Sequence, residues 1–353
     1  MKQNNIPFKR KIHRYLFQKY KQTQTELHEL TYLFWECTLR CNLSCLHCGS
    51  DCYTSSETKD MPHDDFLNVT QEIAQKFDAQ KITVVITGGE PLMRNDLEMI
   101  GLQLRKQGFR WGIVSNALAM SQQRFTSLVA AGMGALTISF DGLHDDHNWL
   151  RNNTLSYNKT LFAIEMASKE TRLNFDVVTC VNKRNISKLP EIKQILKEKG
   201  VKAWRLFTIA PIGRATENKD LLIDNSEFKT LMEFIKQARS DKEIKTSFSC
   251  EAYVGNYENE VRDAFFFCRA GINIGSVLVD GSISACPNVN HHFVQGNIYQ
   301  NSFTEVWEEK FQKMRNRNWA KNGKCATCKQ FEWCNGNGLH LRNEKEQLLR
   351  CYL

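Results

Sequence analysis

Residues 32–52 read YLFWECTLRCNLSCLHCGSDC, a compact apolar run feeding directly into a loop crowded with cysteines. Tyr32–Glu36 has the aromatic and bulky side chains that suit a buried strand. Within the loop, Cys41, Cys45 and Cys48 form a Cys-x3-Cys-x2-Cys run, flanked by Cys37 and Cys52. Three thiolates on one short loop can hold three irons of a 4Fe–4S cube and leave the fourth iron open to a small molecule. A zinc site recruiting Cys37, Cys52 or His47 as a fourth ligand uses the same residue types, and spacing alone leaves both readings open.

Outward from this loop the chain repeats one unit. Strand patterns fall at Tyr32–Glu36, Lys81–Thr87, Trp111–Ser115, Ala135–Phe140, Leu173–Thr179 and Lys202–Phe207. Amphipathic helical stretches lie between them, near Asp64–Phe77, Asp96–Lys106, Ser121–Ala131, Tyr157–Lys169 and Ser187–Lys199. Asp60 and Pro62 read as the opening of the first helix, Ser121 and Gly132 bracket the third, and Gly200 ends the fifth. Near-continuous apolar strands alternating with helices predict an α/β fold with a parallel sheet, either wound both ways or curled into a full or partial barrel. A further helix is expected over Ser226–Arg239, after which the rhythm breaks and a domain boundary is expected near Asp241–Tyr253.

The 353 residues are 42% hydrophobic and 24% charged, enough for a sizeable core and not the composition of a disordered chain. The net charge of +8 is spread along the chain except at its start, where Lys9, Arg10, Lys11, Arg14, Lys19 and Lys21 cluster. Nucleic-acid binding is therefore not indicated. This basic segment predicts an N-terminal helix with a solvated face or a supporting role under the barrel, rather than a membrane anchor. No apolar run approaches the roughly 18 residues of a membrane span, and no signal peptide opens the chain, so a cytoplasmic location is expected. There cysteines stay reduced, and the thirteen found here are better explained by metal or catalysis than by disulfides. Nine of them lie in two groups, Cys37 to Cys52 and Cys325 to Cys351, with Cys268 and Cys286 between.

With its place after the first strand, the Cys41, Cys45, Cys48 loop resembles the signature of the radical S-adenosylmethionine (SAM) superfamily. That resemblance implies SAM bound to the open iron and a 5′-deoxyadenosyl radical that abstracts hydrogen, with an electron donor such as flavodoxin or ferredoxin. His47 stands where the family more often has an aromatic ring. Thr87-Gly88-Gly89-Glu90-Pro91 after the second strand is similar to the family's Gly-Gly-Glu-Pro motif at the SAM amino group. Glycines let backbone approach a ligand, although a plain strand-to-helix turn would use them too. Asn116 ends the third strand and Ser139 the fourth, with Arg151 twelve residues on. Ser139 and Arg151 resemble the family's SAM carboxylate ligands; a helix cap and a surface arginine are the bland alternatives. Leu206 and Ala210-Pro-Ile-Gly-Arg214 look like the region packing on adenine. Every candidate lies at the carboxyl end of an expected parallel strand, where such sheets bind ligands. The resemblance covers about residues 32 to 215 and implies a partial (β/α)6 TIM-like barrel.

Cys268-x12-Gly281-x4-Cys286, then Cys325-x2-Cys328-x5-Cys334 and Cys351, is similar to the SPASM extension, which holds auxiliary iron–sulfur clusters; a zinc ribbon is the alternative. The resemblance implies an outer cluster on Cys325, Cys328, Cys334 and Cys351. The family's next cysteine falls at Gly338, so an inner cluster with Cys268 and Cys286 must borrow Cys250, His291, His292 or a substrate atom, or be absent. The expected organisation is a basic helical segment over 1–30, the barrel over 31–240 and a SPASM-like domain over 241–353. The SPASM extension is found on many radical SAM enzymes that modify peptides and proteins. The opening Leu27-His28-Glu29-Leu30, with Cys48-Gly-Ser-Asp-Cys52, narrows the resemblance to a subgroup paired with a lipoprotein partner. A peptide or protein substrate, such as a lipoprotein or ribosomal peptide precursor, is then expected. Only about thirty residues precede the first strand, too few for the leader-binding domain of many peptide maturases. A non-catalytic iron–sulfur or zinc protein, or a radical SAM enzyme acting on RNA or a small molecule, are the competing functions.

Overall fold

A computed structural model describes residues 8–249 and 251–353, the side chains of residues 8–11 and Lys219 excepted. Cys250 lies outside the described residues. Seven parallel strands, β1 (Tyr32–Glu36), β2 (Thr83–Thr87), β3 (Arg110–Ser115), β4 (Met133–Ser139), β5 (Asn174–Val181), β6 (Ala203–Thr208) and β7 (Lys245–Phe248), lie side by side in chain order. A doubly wound sheet reverses its order at a switch point. Consecutive order with right-handed crossovers instead puts every connecting helix on one face and curls the sheet, which decides for a partial barrel. The barrel stays open: β1 pairs with β8 (Ile274–Val277), and β9 (Ser282–Ser284) and β10 (Gly296–Asn297) continue that edge.

The first helix, α1 (Phe8–Leu27), precedes the sheet. The connecting helices are α2 (His63–Lys76), α3 (Leu97–Lys106), α4 (Gln122–Ala130), α5 (His144–Arg151), α6 (Ser156–Lys169), α7 (Leu189–Glu198) and α8 (Asn225–Ser240). Ser121 caps α4 by accepting from the amide of Arg124, 3.1 Å away. Asp60 is no cap for α2; its carboxylate holds Thr38 and Arg40 of the cysteine loop.

Strand alternation sorts the side chains. Leu33, Trp35, Val84, Ile86, Trp111, Ile113, Leu136, Ile138, Val177, Trp204 and Leu206 are buried toward the helices. Trp35 stacks on Phe66 of α2 at 4.2 Å, and Trp204 meets Phe234 of α8 at 5.9 Å. Each such burial contributes about 1.5–3 kcal/mol. Gly101 of α3 is required by this packing, because a Cβ there would lie 2.2 Å from the Trp111 ring. The alternate residues, among them Phe34, Val85, Val114, Ser139, Val178 and Phe207, are half-buried on the concave face. That face is crossed by a polar link, Arg205 to Asp176 and Thr137.

Two expectations change. The segment read as a boundary holds β7, which pairs with β6 and carries the sheet beyond six strands; its four residues, Lys-Thr-Ser-Phe, are too short and polar to stand out. The N-terminal helix does not lie under the barrel but packs on the C-terminal module. Arg14 donates to Tyr253 Oη at 2.9 Å and lies 4.1 Å over Trp333, Phe17 meets Phe265 at 5.4 Å, and Lys21 donates to the Trp333 carbonyl at 3.0 Å. Burial pushes the Lys21 ammonium down to about 8. No described helix is long and apolar enough to cross a membrane.

Candidate active site

The cysteine loop leaves β1 at the carboxyl edge of the sheet and folds back on itself, with Cys41 N donating to Tyr53 O at 2.6 Å. Cys41, Leu43, Cys45 and Cys52 form a small buried cluster with Leu39, Cys48 and Leu118 around it. Gly88 and Gly89 press the β2 turn onto this loop. Gly89 N donates to Thr38 O at 2.8 Å and Glu90 N to Arg40 O at 2.9 Å. A Cβ on Gly88 or Gly89 would sit 2.2 or 2.3 Å from those same two carbonyl oxygens. The close approach these glycines permit is to the cysteine loop itself.

Glu90, fully enclosed beside Pro91, accepts from Leu92 N at 3.1 Å, Ser115 Oγ at 2.8 Å and Asn116 N at 2.8 Å. Burial nevertheless pushes its carboxyl above the ordinary value. Asn116, held in place by Glu90, points Nδ2 at Cys41 Sγ, 3.7 Å away, and at Asn42 Oδ1, 2.8 Å away. Arg151, in the last turn of α5, brings Nη1 to 3.6 Å from Cys45 Sγ. Its Nε and Nη2 are taken by Asp141, whose other oxygen accepts from Cys180 N at 2.7 Å. Burial, the largest single influence, would raise the Asp141 carboxyl, but the Arg151 guanidinium, His47, His147 and the Cys180 amide together hold the group below its ordinary value. Ser139 is half-buried at the end of β4, two residues before Asp141.

Several partners escaped the sequence reading. Cys52 hydrogen-bonds Cys48, which together with the Arg214 guanidinium favours the Cys48 thiolate. Arg214 donates from Nε to Cys45 O at 2.8 Å and from Nη1 to Asp51 at 2.8 Å and Cys52 O at 3.0 Å. The stretch expected beside adenine therefore clamps the outside of the cysteine loop. Gly213 makes this possible, since a Cβ there would lie 2.4 Å from Cys48 O. Leu206 is not on the open side: it is fully buried in the main core, and the concave positions beside it are Arg205 and Phe207. Alternation along β6 turns Leu206 toward the helices.

His47 Nδ1 is shut off from solvent without a hydrogen-bond partner among the described residues, and burial pushes the imidazole down to about 4, leaving it neutral. Its donor atom, one of Asp141 and Cys180 Sγ lie within 4.8 Å of one another. Arg151 already occupies that carboxylate, so the trio is an ion-paired group. Among the described residues no other three His, Cys, Asp or Glu donors come so close.

In the C-terminal module the charges of Cys325 and Cys351 act on the Cys334 thiol, and Arg342 Nη2 lies 3.6 Å from Cys325 Sγ. Cys351 is strapped between two anchors. Arg350 donates to Ile223 O at 2.7 Å, while Tyr352 bonds Glu251 and sits 2.6 Å from Thr208 Oγ1 at the end of β6. Cys325, Cys328, Cys334 and Cys351 suit an outer iron–sulfur group. Of the imidazoles weighed for an inner one, the His291 side chain is 74% exposed and His292 faces Glu346 and Lys313.

At the seam between sheet and module, Glu36 is 8% exposed and accepts weakly from Val279 N at 3.4 Å. Burial pushes its carboxyl up to about 7. A raised acid is more protonated in the folded than in the unfolded chain, so its contribution is full below pH 4.5 and lost as pH rises to 7. Glu36→Gln is expected to remove up to about 3 kcal/mol of that loss. Anaerobic urea unfolding at pH 5 and pH 8 checks this; an unchanged pH dependence would reject the assignment.

Comparison with known proteins gives two family matches. The model described as Radical SAM superfamily matches residues 35–196, and the SPASM model, described as an iron-sulfur cluster-binding domain, matches residues 268–329. The chain is 26% identical over 320 residues to an AdoMet-dependent heme synthase of Methanosarcina barkeri, covering 86% of this chain and 89% of that one. It is also 26% identical over 311 residues to the mycofactocin maturase MftC of Mycolicibacterium smegmatis, covering 86% and 76%. The solved structure of native anSMEcpe with bound AdoMet superposes with a TM-score of 0.70 at 17% identity, covering 90% of this chain and 91% of that one.

Proposed function

Because the chain carries a radical SAM domain followed by an iron–sulfur cluster-binding SPASM domain, we propose that it abstracts hydrogen from a peptide or protein substrate held on the concave face of its sheet. When bound, the cluster supplies the electron that cleaves SAM to methionine and a 5′-deoxyadenosyl radical. The observation that carries this reading is the contact of Asn116, directly after β3, and Arg151, in the last turn of α5, with the sulfurs of Cys41 and Cys45. Burial raises the Cys45 thiol, and the Arg151 guanidinium works against that shift toward the anionic, metal-binding form. Glu90 fixes Asn116, and Ser139, half-buried at the end of β4, offers a hydroxyl donor for a carboxylate. Phe34, Val85, Val114 and Phe207 give the concave face an apolar lining that limits water around a radical. A small reduced protein such as a flavodoxin or ferredoxin would deliver the electron.

The SPASM module and the likeness to a maturase support a peptide or protein precursor. A second reading, a tetrapyrrole substrate, is favoured by the relative named as a heme synthase, which aligns over nearly its whole length. Anaerobically reconstituted protein with SAM and dithionite is expected to release 5′-deoxyadenosine; none would reject the enzyme reading. Adding candidate precursor peptides or an iron-loaded coproporphyrin then separates the substrates by which one stimulates release and changes mass.

A further inference from the structure

Arg342 is 1% exposed, yet none of its acceptors among the described residues is a carboxylate. Nε donates to Gly336 O at 3.1 Å, Nη1 to Glu346 O at 2.6 Å, and Nη2 to Gly336 O at 2.9 Å and Ala320 O at 3.1 Å. The remaining contact is from Nη2 to Cys325 Sγ at 3.6 Å. Carbonyl dipoles satisfy the N–H groups but do not cancel a unit charge, and a buried charge is normally met by an opposite one. Of these acceptors, Cys325 is the one that can carry it. Gly336 fixes the arrangement: its φ is +76°, and a Cβ there would lie 2.7 Å from Nη2.

A second guanidinium is buried alongside. Arg317 donates from Nη2 to Asn337 O at 2.9 Å, while its Nε is shut off from solvent without a hydrogen-bond partner among the described residues. Its central carbon lies 5.5 Å from the Trp319 ring and that of Arg342 lies 5.4 Å away, so one indole borders both cations. Burial lowers the Arg342 guanidinium; Cys325 and Cys334 act against that shift, and Arg317 adds to it. Lys21 of α1 has the same neighbours: after burial, Cys334 acts on its ammonium most, and Arg317 next. Glu258, the carboxylate that acts on Lys21, is engaged by the amides of Val254 at 2.9 Å and Phe266 at 2.7 Å. Arg342, Arg317 and Lys21, all buried, thus gather beside cysteines rather than carboxylates.

We propose that Arg342, assisted by Arg317, sets the potential of the iron–sulfur centre to which Cys325 and Cys334 belong. A metal-bound thiolate shell is anionic and becomes more so on reduction. A fixed positive charge against it, donating to a ligating sulfur, favours the reduced state. The centre therefore takes up an electron at a higher potential than the same cysteines would give without the guanidinium. The inference rests on the SPASM assignment and is independent of the substrate.

The test uses the full chain with Cys41, Cys45 and Cys48 all changed to Ala, so that only auxiliary iron remains; the signal lost on Cys325→Ala identifies the centre. Redox titration followed by electron paramagnetic resonance is expected to give a lower midpoint potential in Arg342→Gln than in the parent. Arg342→Lys should fall between them, because it keeps the charge but not the fork. Arg317→Gln should move the potential in the same direction by a smaller step. A purely structural arginine would weaken Arg342→Gln and Arg342→Lys alike towards unfolding and leave the potential unmoved, which would overturn the proposal. In the parent, labelling arginine alone with 15N is expected to add a weak nitrogen coupling to the pulsed spectrum of the reduced centre. Its absence would overturn the proposal even where no variant at 342 folds. Zinc in place of iron at Cys325 would overturn the cluster reading as well, whereas iron with an unmoved potential overturns this inference alone.

Discussion

Cys45→Ala is expected to abolish 5′-deoxyadenosine formation to the detection limit while the C-terminal cluster keeps its optical and paramagnetic signatures. Cys45 is 7% exposed and its sulfur has Arg151 Nη1 at 3.6 Å. Alanine removes that sulfur but leaves Arg151 paired with Asp141, so no charge is stranded and the barrel should remain folded. A cube held by three cysteines cannot lose one and keep a defined open iron. Cys52→Ala supplies the complementary measurement. Cys52 hydrogen-bonds Cys48 and lies in the same buried cluster, the arrangement of a supporting thiol. The cluster reading therefore expects Cys52→Ala to retain iron at this loop and lose only part of the activity. A zinc site with Cys52 as fourth ligand predicts the reverse, loss of metal. Metal analysis of the two variants with the C-terminal cysteines intact decides between them.

Much of the fold was legible because buried parallel strands are written as runs of apolar residues. The expected Tyr32–Glu36 strand coincides with β1, and the other five are displaced at their ends by two residues at most. Strand β7 escaped because only Thr246 and Phe248 of its four residues are buried. Helix α5 escaped for a different reason. His144-Asp-Asp-His-Asn-Trp-Leu-Arg151 is polar, yet Asp146, His147, Asn148 and Arg151 are buried through hydrogen bonds that no hydrophobic period reveals. In the candidate site, cysteine spacing and the Gly-Gly-Glu-Pro turn were visible, but their partners were not. Asp141, two residues past Ser139, carries no signal of its own, and only the fold shows Arg151 turning back ten residues to reach it. Leu206 was misplaced because one residue of register decides which face a strand side chain takes.

The same hidden pairing makes Asp141→Ala the substitution with the largest expected cost in stability. Asp141 is 1% exposed, accepts from Arg151 Nε at 2.7 Å and Cys180 N at 2.7 Å, and also bonds Arg151 Nη2. Removing the carboxylate strands a guanidinium that is 8% exposed and keeps Cys45 Sγ beside its Nη1. Breaking a buried ion pair from one side typically costs about 3–5 kcal/mol, more than deleting the pair as a whole. Asp141→Asn keeps an acceptor for the Cys180 amide and most of the shape, so its loss should be smaller. The pH dependence identifies the cause. Arg151 holds the Asp141 carboxyl below its ordinary value, so this stabilisation is present above the unfolded pKa near 3.8 and is lost as pH falls through the lower folded one. Anaerobic urea unfolding should therefore show the wild-type advantage over Asp141→Ala at pH 7 and a shrinking gap below about pH 4. A gap that persists unchanged into acid would mean that the carboxylate acts through packing rather than charge. Because Arg151 also touches Cys45, the variant should release iron from the cysteine loop faster than from the C-terminal module, tying the ion pair to the site as well as to the fold.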